Sequence, residues 1–120
     1  MNSEILRFSS LKYQDRYILN ATKENYVIFE DMLFNEFRSD QESYLNQLAP
    51  NKRAIVADFC KVLHDRRDEV YAKYKVARTL KEVSEIIYHD PNWVAIRNAA
   101  LDCIKKLGYD LEDFERREGC

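Results

Sequence analysis

Only two glycines and two prolines stand among the 120 residues of this chain, where average usage gives about eight and six. Hairpins, barrel corners and phosphate-cradling loops all consume these residues, because glycine supplies positive φ and proline a fixed φ. Their scarcity argues against sandwiches, barrels and dinucleotide-binding folds, and leaves helices joined by short links. Hydrophobic residues at 46% and charged residues at 33% exclude a disordered tail or a collagen-like repeat. The expectation is an all-α fold: one domain over residues 1–120, a compact bundle of five or six amphipathic helices. A chain of this length can bury about two thirds of its unfolded surface, enough for a core.

Apolar spacing places the helices. Ile5, Leu6, Phe8, Leu11 and Tyr13 form a partial stripe behind Ser3, a candidate N-cap, with Ser9 and Ser10 placed to break it. From Asn20 or Thr22 onward, Tyr26, Phe29, Leu33 and Phe37 recur every three or four residues. Ser39 and Glu42 match a capping box before Tyr44, Leu45 and Leu48, and Pro50 closes that segment. A helix from near Asn51 carries Ile55, Val56, Phe59, Cys60 and Leu63. The charged run 64–69 fits either a turn or a solvated helical bend. Val70, Tyr74, Ala77, Leu80, Val83 and Ile87 then form a stripe, in a helix around 69–85 that turns Val76, Ala77 and Leu80 inward. Asp90-Pro91 is an N-cap followed by proline at the first helical position. The helix it opens runs through Trp93, Ile96, Ala100, Cys103, Ile104 and Leu107 to Gly108, a left-handed stop. Asp110 caps a last turn with Leu111 and Phe114. Phe29, Leu33, Phe37, Phe59, Leu63, Leu80, Trp93 and Ile104 are the expected core.

Leu80 to Gly108 resembles a HEAT-type helical hairpin. An amphipathic helix leads to Asp90-Pro91-Asn92-Trp93, then to Ile96-Arg97-Asn98-Ala99-Ala100-Leu101 and a closing Lys106-Leu107-Gly108. In that family an Asp-Pro turn precedes an aliphatic-Arg pair and small residues where two helices pack closely. The Trp93 to Arg97 spacing is one residue longer than the usual pattern. The stretch from Leu63 to Arg78 echoes the motif at a period of about 24–25 residues, shorter than the roughly 40 of such repeats. The resemblance covers about a quarter of the chain and implies a protein-binding scaffold.

Chemistry-bearing constellations are sparse. Cys60 and His64 stand four residues apart on one helix face, and with Cys103 and His89 they make a two-cysteine, two-histidine set on paper. Zinc sites use closer pairs, because short spacing pre-arranges the ligands. Both cysteines also sit on apolar stripes, where a thiol behaves as a small hydrophobe. Glu30-Asp31 and Glu112-Asp113 are adjacent carboxylates that splay apart on a helix. No glycine-rich phosphate loop, H-E-x-x-H or G-x-S-x-G motif occurs. The expectation is a non-enzymatic protein with no catalytic residue, no metal and no cofactor. An odd set of three widely spaced cysteines and no signal-like opening point to a reduced, cytoplasmic setting without membrane insertion. Cys60 and Cys103 should be buried and Cys120 accessible.

Charge is distributed unevenly. The net charge is −2, yet residues 51–81 hold nine basic side chains against four acidic ones, a local excess of +5. Residues 24–42 hold six acids against Arg38 alone, a local −5. Oppositely charged helices attracting each other within one bundle account for this pattern. The functional reading is a polarised surface that docks a partner. Arg66, Arg67, Tyr71, Lys73, Lys75, Arg78 and Lys81 combine basic and aromatic groups in the manner of protein hot spots and of single-strand binding faces. The expected role is that of a small regulator, adaptor or inhibitor that binds another protein with an acidic surface. Self-association through the acidic 24–42 segment of a second copy is a further possibility. Nucleic-acid binding through the Tyr-containing face of 51–81 is the alternative.

Overall fold

The computed structural model describes residues 2–20, 29–34 and 47–120. Among them are seven α-helices and no strand: α1 (Asn2–Ser9), α2 (Leu11–Gln14), α3 (Phe29–Phe34), α4 (Pro50–Val76), α5 (Leu80–His89), α6 (Pro91–Leu107) and α7 (Leu111–Arg117). A π-helical turn, Asp15–Leu19, continues α2. The all-α bundle expected from glycine and proline usage is the fold observed among the described residues. Phe37, the Ser39–Glu42 capping box and most of the acidic 24–42 stretch lie outside the described residues.

The breaks follow local chemistry. Ser10 is extended at φ −96°, ψ 109°, and its hydroxyl caps α2 by accepting the Tyr13 N–H at 3.0 Å. Proline at the first position opens α4, where its missing N–H removes no helical bond. The charged run 64–69 is uninterrupted helix. Leu63 and Val70, seven residues apart and both buried, hold the same stripe across it, so the charges ride on the solvated side. With 27 residues α4 is about 40 Å long at 1.5 Å per residue, which matches the 43 Å long axis of the molecule.

Asp90 alone links α5 to α6, and its buried carboxylate accepts the Trp93 N–H at 3.0 Å. Gly108 ends α6 at φ 81°, and the Asp110 carboxylate accepts the Asp113 N–H at 3.2 Å to start α7. These three signals stand where the sequence places them.

The core centres on α6. It packs against α4 on one side and α1 on the other, burying Trp93, Ile96, Ala100, Cys103 and Ile104. The Trp93 ring lies 4.9 Å from Phe29 and 6.0 Å from Phe8, and Phe8 meets Phe59 at 5.4 Å. Fully burying rings of this size contributes about 1.5–3 kcal/mol each. Phe29, Leu33, Phe59, Leu63, Trp93 and Ile104 are buried as expected. Leu80 is not: it is 59% exposed, because the helix breaks before it and resets the facing of its side chain.

Polar groups tie the ends of the chain together. Gln14, fully buried, donates through Nε2 to the carbonyls of Arg7 (3.0 Å) and Phe8 (2.8 Å), and its Oε1 accepts the Trp93 indole N–H at 3.1 Å. Ser10 donates to Glu115 at 2.6 Å, and the Tyr17 hydroxyl donates to the Glu118 carbonyl at 2.6 Å.

Candidate functional site

The stripe through Val70 and Ile87 is not one helix. It breaks over residues 77–79, where Ala77 turns extended at ψ 130°. No glycine or proline causes this. Thr79 is the N-cap of α5, accepting the Glu82 N–H at 3.2 Å, while Glu82 accepts the Arg78 N–H at 3.0 Å. These reciprocal bonds form a variant of the capping box, in which the acid reaches one residue further back than usual. Once the register resets, Val76 at 64% and Leu80 at 59% are the most exposed large apolar residues described. The inward facing expected for both is therefore corrected: they flank an outward corner between α4 and α5. Val83 is half-buried and Ile87 is buried, as the stripe requires.

The seven basic and aromatic candidates fall into two groups around this corner. Four are engaged in holding the fold. Arg66 donates to Asn92 Oδ1 at 3.0 Å, and Asn92 in turn donates to Glu69 at 2.7 Å. The Arg67 guanidinium lies 5.1 Å from the centre of the Phe34 ring. Tyr71 meets the same Phe34 edge-on at 5.2 Å, and its pKa is raised chiefly by the Glu30 carboxylate. Lys73 pairs with the buried carboxylate of Asp90. Lys75, Arg78 and Lys81 form the second group. Their side chains are exposed and make no ion pair among the described residues. Lys75 Nζ lies 5.9 Å from the Tyr71 ring centre. The corner thus presents two apolar side chains among three cations with no ion pair to any described residue.

The cysteine candidates are buried and His64 is exposed. Cys60 is buried, and desolvation pushes its thiol up to about 12. The Cys103 thiol is likewise raised to about 11, mainly by burial. Since the thiolate is the nucleophile and metal ligand, burial disfavours the reactive form of both. His64 is exposed, with its pKa lowered by partial desolvation and by Arg67. Among the described residues, no three His, Cys, Asp or Glu side chains are grouped to hold a metal ion. No described helix is long and apolar enough to cross a membrane.

Sequence reasoning missed the outward turn of Val76 and Leu80, although Thr79-x-x-Glu82 is the signal that could have found it. No protein-family model, curated protein or solved structure matches this chain.

Proposed function

We propose that this is a small cytoplasmic, non-enzymatic regulator, adaptor or inhibitor that docks another protein through the α4–α5 corner. Val76 and Leu80 enter an apolar depression on the partner, and Lys75, Arg78 and Lys81 face acidic groups around its rim. The observation that carries this reading is the exposure of two large aliphatic side chains, 64% and 59%, beside three cations that make no ion pair among the described residues. Leaving such groups in water gains nothing for folding, whereas an apolar centre with a charged rim is the anatomy of a recognition surface. The HEAT-type hairpin that residues 80–108 resemble is a protein-binding scaffold, in keeping with this role.

The cations raise the association rate with an acidic partner and lose effect as salt shortens the Debye length to about 8 Å. The test pairs capture with titration. Proteins retained from native extract are identified, then titrated against the unaltered chain, a Val76→Ser/Leu80→Ser variant and an Arg78→Glu/Lys81→Glu variant. The expected result is an acidic partner whose affinity falls at least tenfold with the first variant. With the second, its association rate falls most at low salt. Equal binding of all three forms overturns the assignment. So does corner-dependent binding of single-stranded oligonucleotide in place of protein, or a corner-dependent dimer on sedimentation.

A further inference from the structure

A second feature lies away from the corner, where four elements meet. A cleft of about 460 Å³ opens between α2 with its π turn, α5, α6 and α7. This is within the usual range for small-molecule sites, about 300–1,000 Å³. Leu11, Leu101 and Leu111, each half-buried, give it a mainly apolar lining. Two charged side chains, Arg97 and Glu115, are set into its walls, and both are more than nine-tenths buried.

Each of these two charges uses only part of its hydrogen-bonding capacity on the described residues. Arg97 uses only Nη1 on the protein, donating to the Ile87 carbonyl at 2.6 Å and lying 3.5 Å from Gln14 Oε1. Its Nε and Nη2 have no partner in the described chain, and no carboxylate pairs with it. That remaining edge is the one that takes a carboxylate through two parallel hydrogen bonds. Glu115 is the mirror case: Oε2 accepts from Ser10 at 2.6 Å, and Oε1 accepts from nothing among the described residues. Arg97 and Glu115 do not pair with each other across the cleft. The unpaired atoms of both groups stay accessible from the cleft rather than sealed in the core, so a ligand that displaces water there has to replace its hydrogen bonds. Desolvation already lowers the Arg97 pKa, yet a guanidinium stays protonated at any physiological pH. A ligand bearing both signs of charge satisfies both groups, and the leucines supply a surface for its apolar part. Lys12 and Asp15, also at the cleft, leave its formal charge balanced. This favours a zwitterion over a simple anion.

We propose that the cleft binds a small zwitterion with an apolar body, of the apolar amino-acid class. Its carboxylate sits on the free edge of Arg97 and its ammonium turns towards Glu115. Tyr88, whose hydroxyl donates to Asp15 at 3.1 Å, forms part of the wall from α5.

The test is calorimetric titration of the full chain with L-leucine and L-phenylalanine, each against its analogues lacking one charge. For leucine these are isocaproate and isoamylamine; for phenylalanine, hydrocinnamate and phenethylamine. At least one amino acid should saturate the protein, with both of its single-charge analogues weaker by tenfold or more. Glu115→Gln retains an oxygen for Ser10, and should reduce amino-acid affinity to that of the acid while leaving acid binding unchanged. Arg97→Lys keeps the charge and one donor for Ile87, and should weaken the amino acid and the acid together. Leu101→Trp fills the cleft and should abolish all binding, with helical content unchanged by circular dichroism. Failure of both amino acids to bind at millimolar concentration overturns the proposal. An acid binding as tightly as its amino acid, or amino-acid binding indifferent to the Leu101 and Glu115 changes, overturns it equally.

Discussion

Asp90 serves two elements through one buried carboxylate, so its removal should cost the fold measurably. Its carboxylate is buried, caps α6 through the Trp93 N–H and receives Lys73 from α4. Replacing it with alanine deletes the cap, worth about 0.5–2 kcal/mol, at the strong end because the acceptor is charged and the donor buried. The Lys73 pairing adds less than about 1 kcal/mol, since the lysine side chain is 55% exposed and screened by solvent. The sum is about 2 kcal/mol, or about 6–12 °C in melting temperature for a chain of this size. Asp90→Asn retains the cap and loses only the charge, so it should cost under about 1 kcal/mol. Lys73→Met should cost a similar small amount, and combined with Asp90→Asn should add little further. Urea unfolding followed by tryptophan emission measures all of these, because Trp93 is the only tryptophan and its ring is fully buried. An Asp90→Ala loss within about 0.5 kcal/mol of zero, the usual scatter of surface substitutions, refutes the reasoning. Equal losses for the Ala and Asn variants show that the charge rather than the cap dominates.

Native thiol labelling should modify Cys120 quickly and the buried Cys60 and Cys103 only on unfolding. Because burial raises the folded pKa of Cys60 to about 12 and Cys103 to about 11, from 9.0, the unfolded chain loses these protons first. The stability they contribute is therefore complete below about 9 and declines as pH rises from there towards 11–12. A Cys60→Ala/Cys103→Ala chain should show a flatter urea midpoint over that interval. Leu63→Ala should destabilise by about 2–5 kcal/mol and Leu80→Ala by less than about 0.5, a contrast that denaturant midpoints resolve. Gly108→Ala meets no atom within 4 Å of the added carbon. Its cost of about 1–2 kcal/mol should thus reflect the positive φ alone, and Gly108→Asn should recover part of it.

What could be read directly from the chain were the places where one residue decides the backbone. Asp90-Pro91, Gly108 and Asp110 each act locally, so their roles survive folding unchanged. The 77–79 break was harder to see, because the apolar spacing continues through Val76, Ala77 and Leu80 as though one helix were intact. A capping motif with no glycine or proline interrupts it, and two residues expected to face inward, Val76 and the core candidate Leu80, are the most exposed aliphatics of the corner. The charged candidates were legible as a set but not in their division. Whether Lys73 is free depends on Asp90, seventeen residues away, and whether Arg67 is free depends on Phe34. Gln14, Arg97 and Glu115 carry no sequence sign of burial, since a polar residue is drawn inside only by partners that the tertiary fold delivers.

The stitching of the first twenty residues to α7 also sets an order of events during synthesis. Ser10 reaches Glu115 across 105 positions, Tyr17 reaches Glu118 across 101, and Tyr13 stacks on Phe114 at 5.6 Å. Phe8 gains Phe59 only after α4 exists and Trp93 only after α6. At about 5–20 residues per second, the leading segment waits about 5–20 s before its last partners are made. Throughout that interval Ile5, Leu6, Phe8 and Tyr13 lack the cover they have in the finished molecule. Closing so long a loop is slow, so the cover over residues 5–13 is completed late in folding.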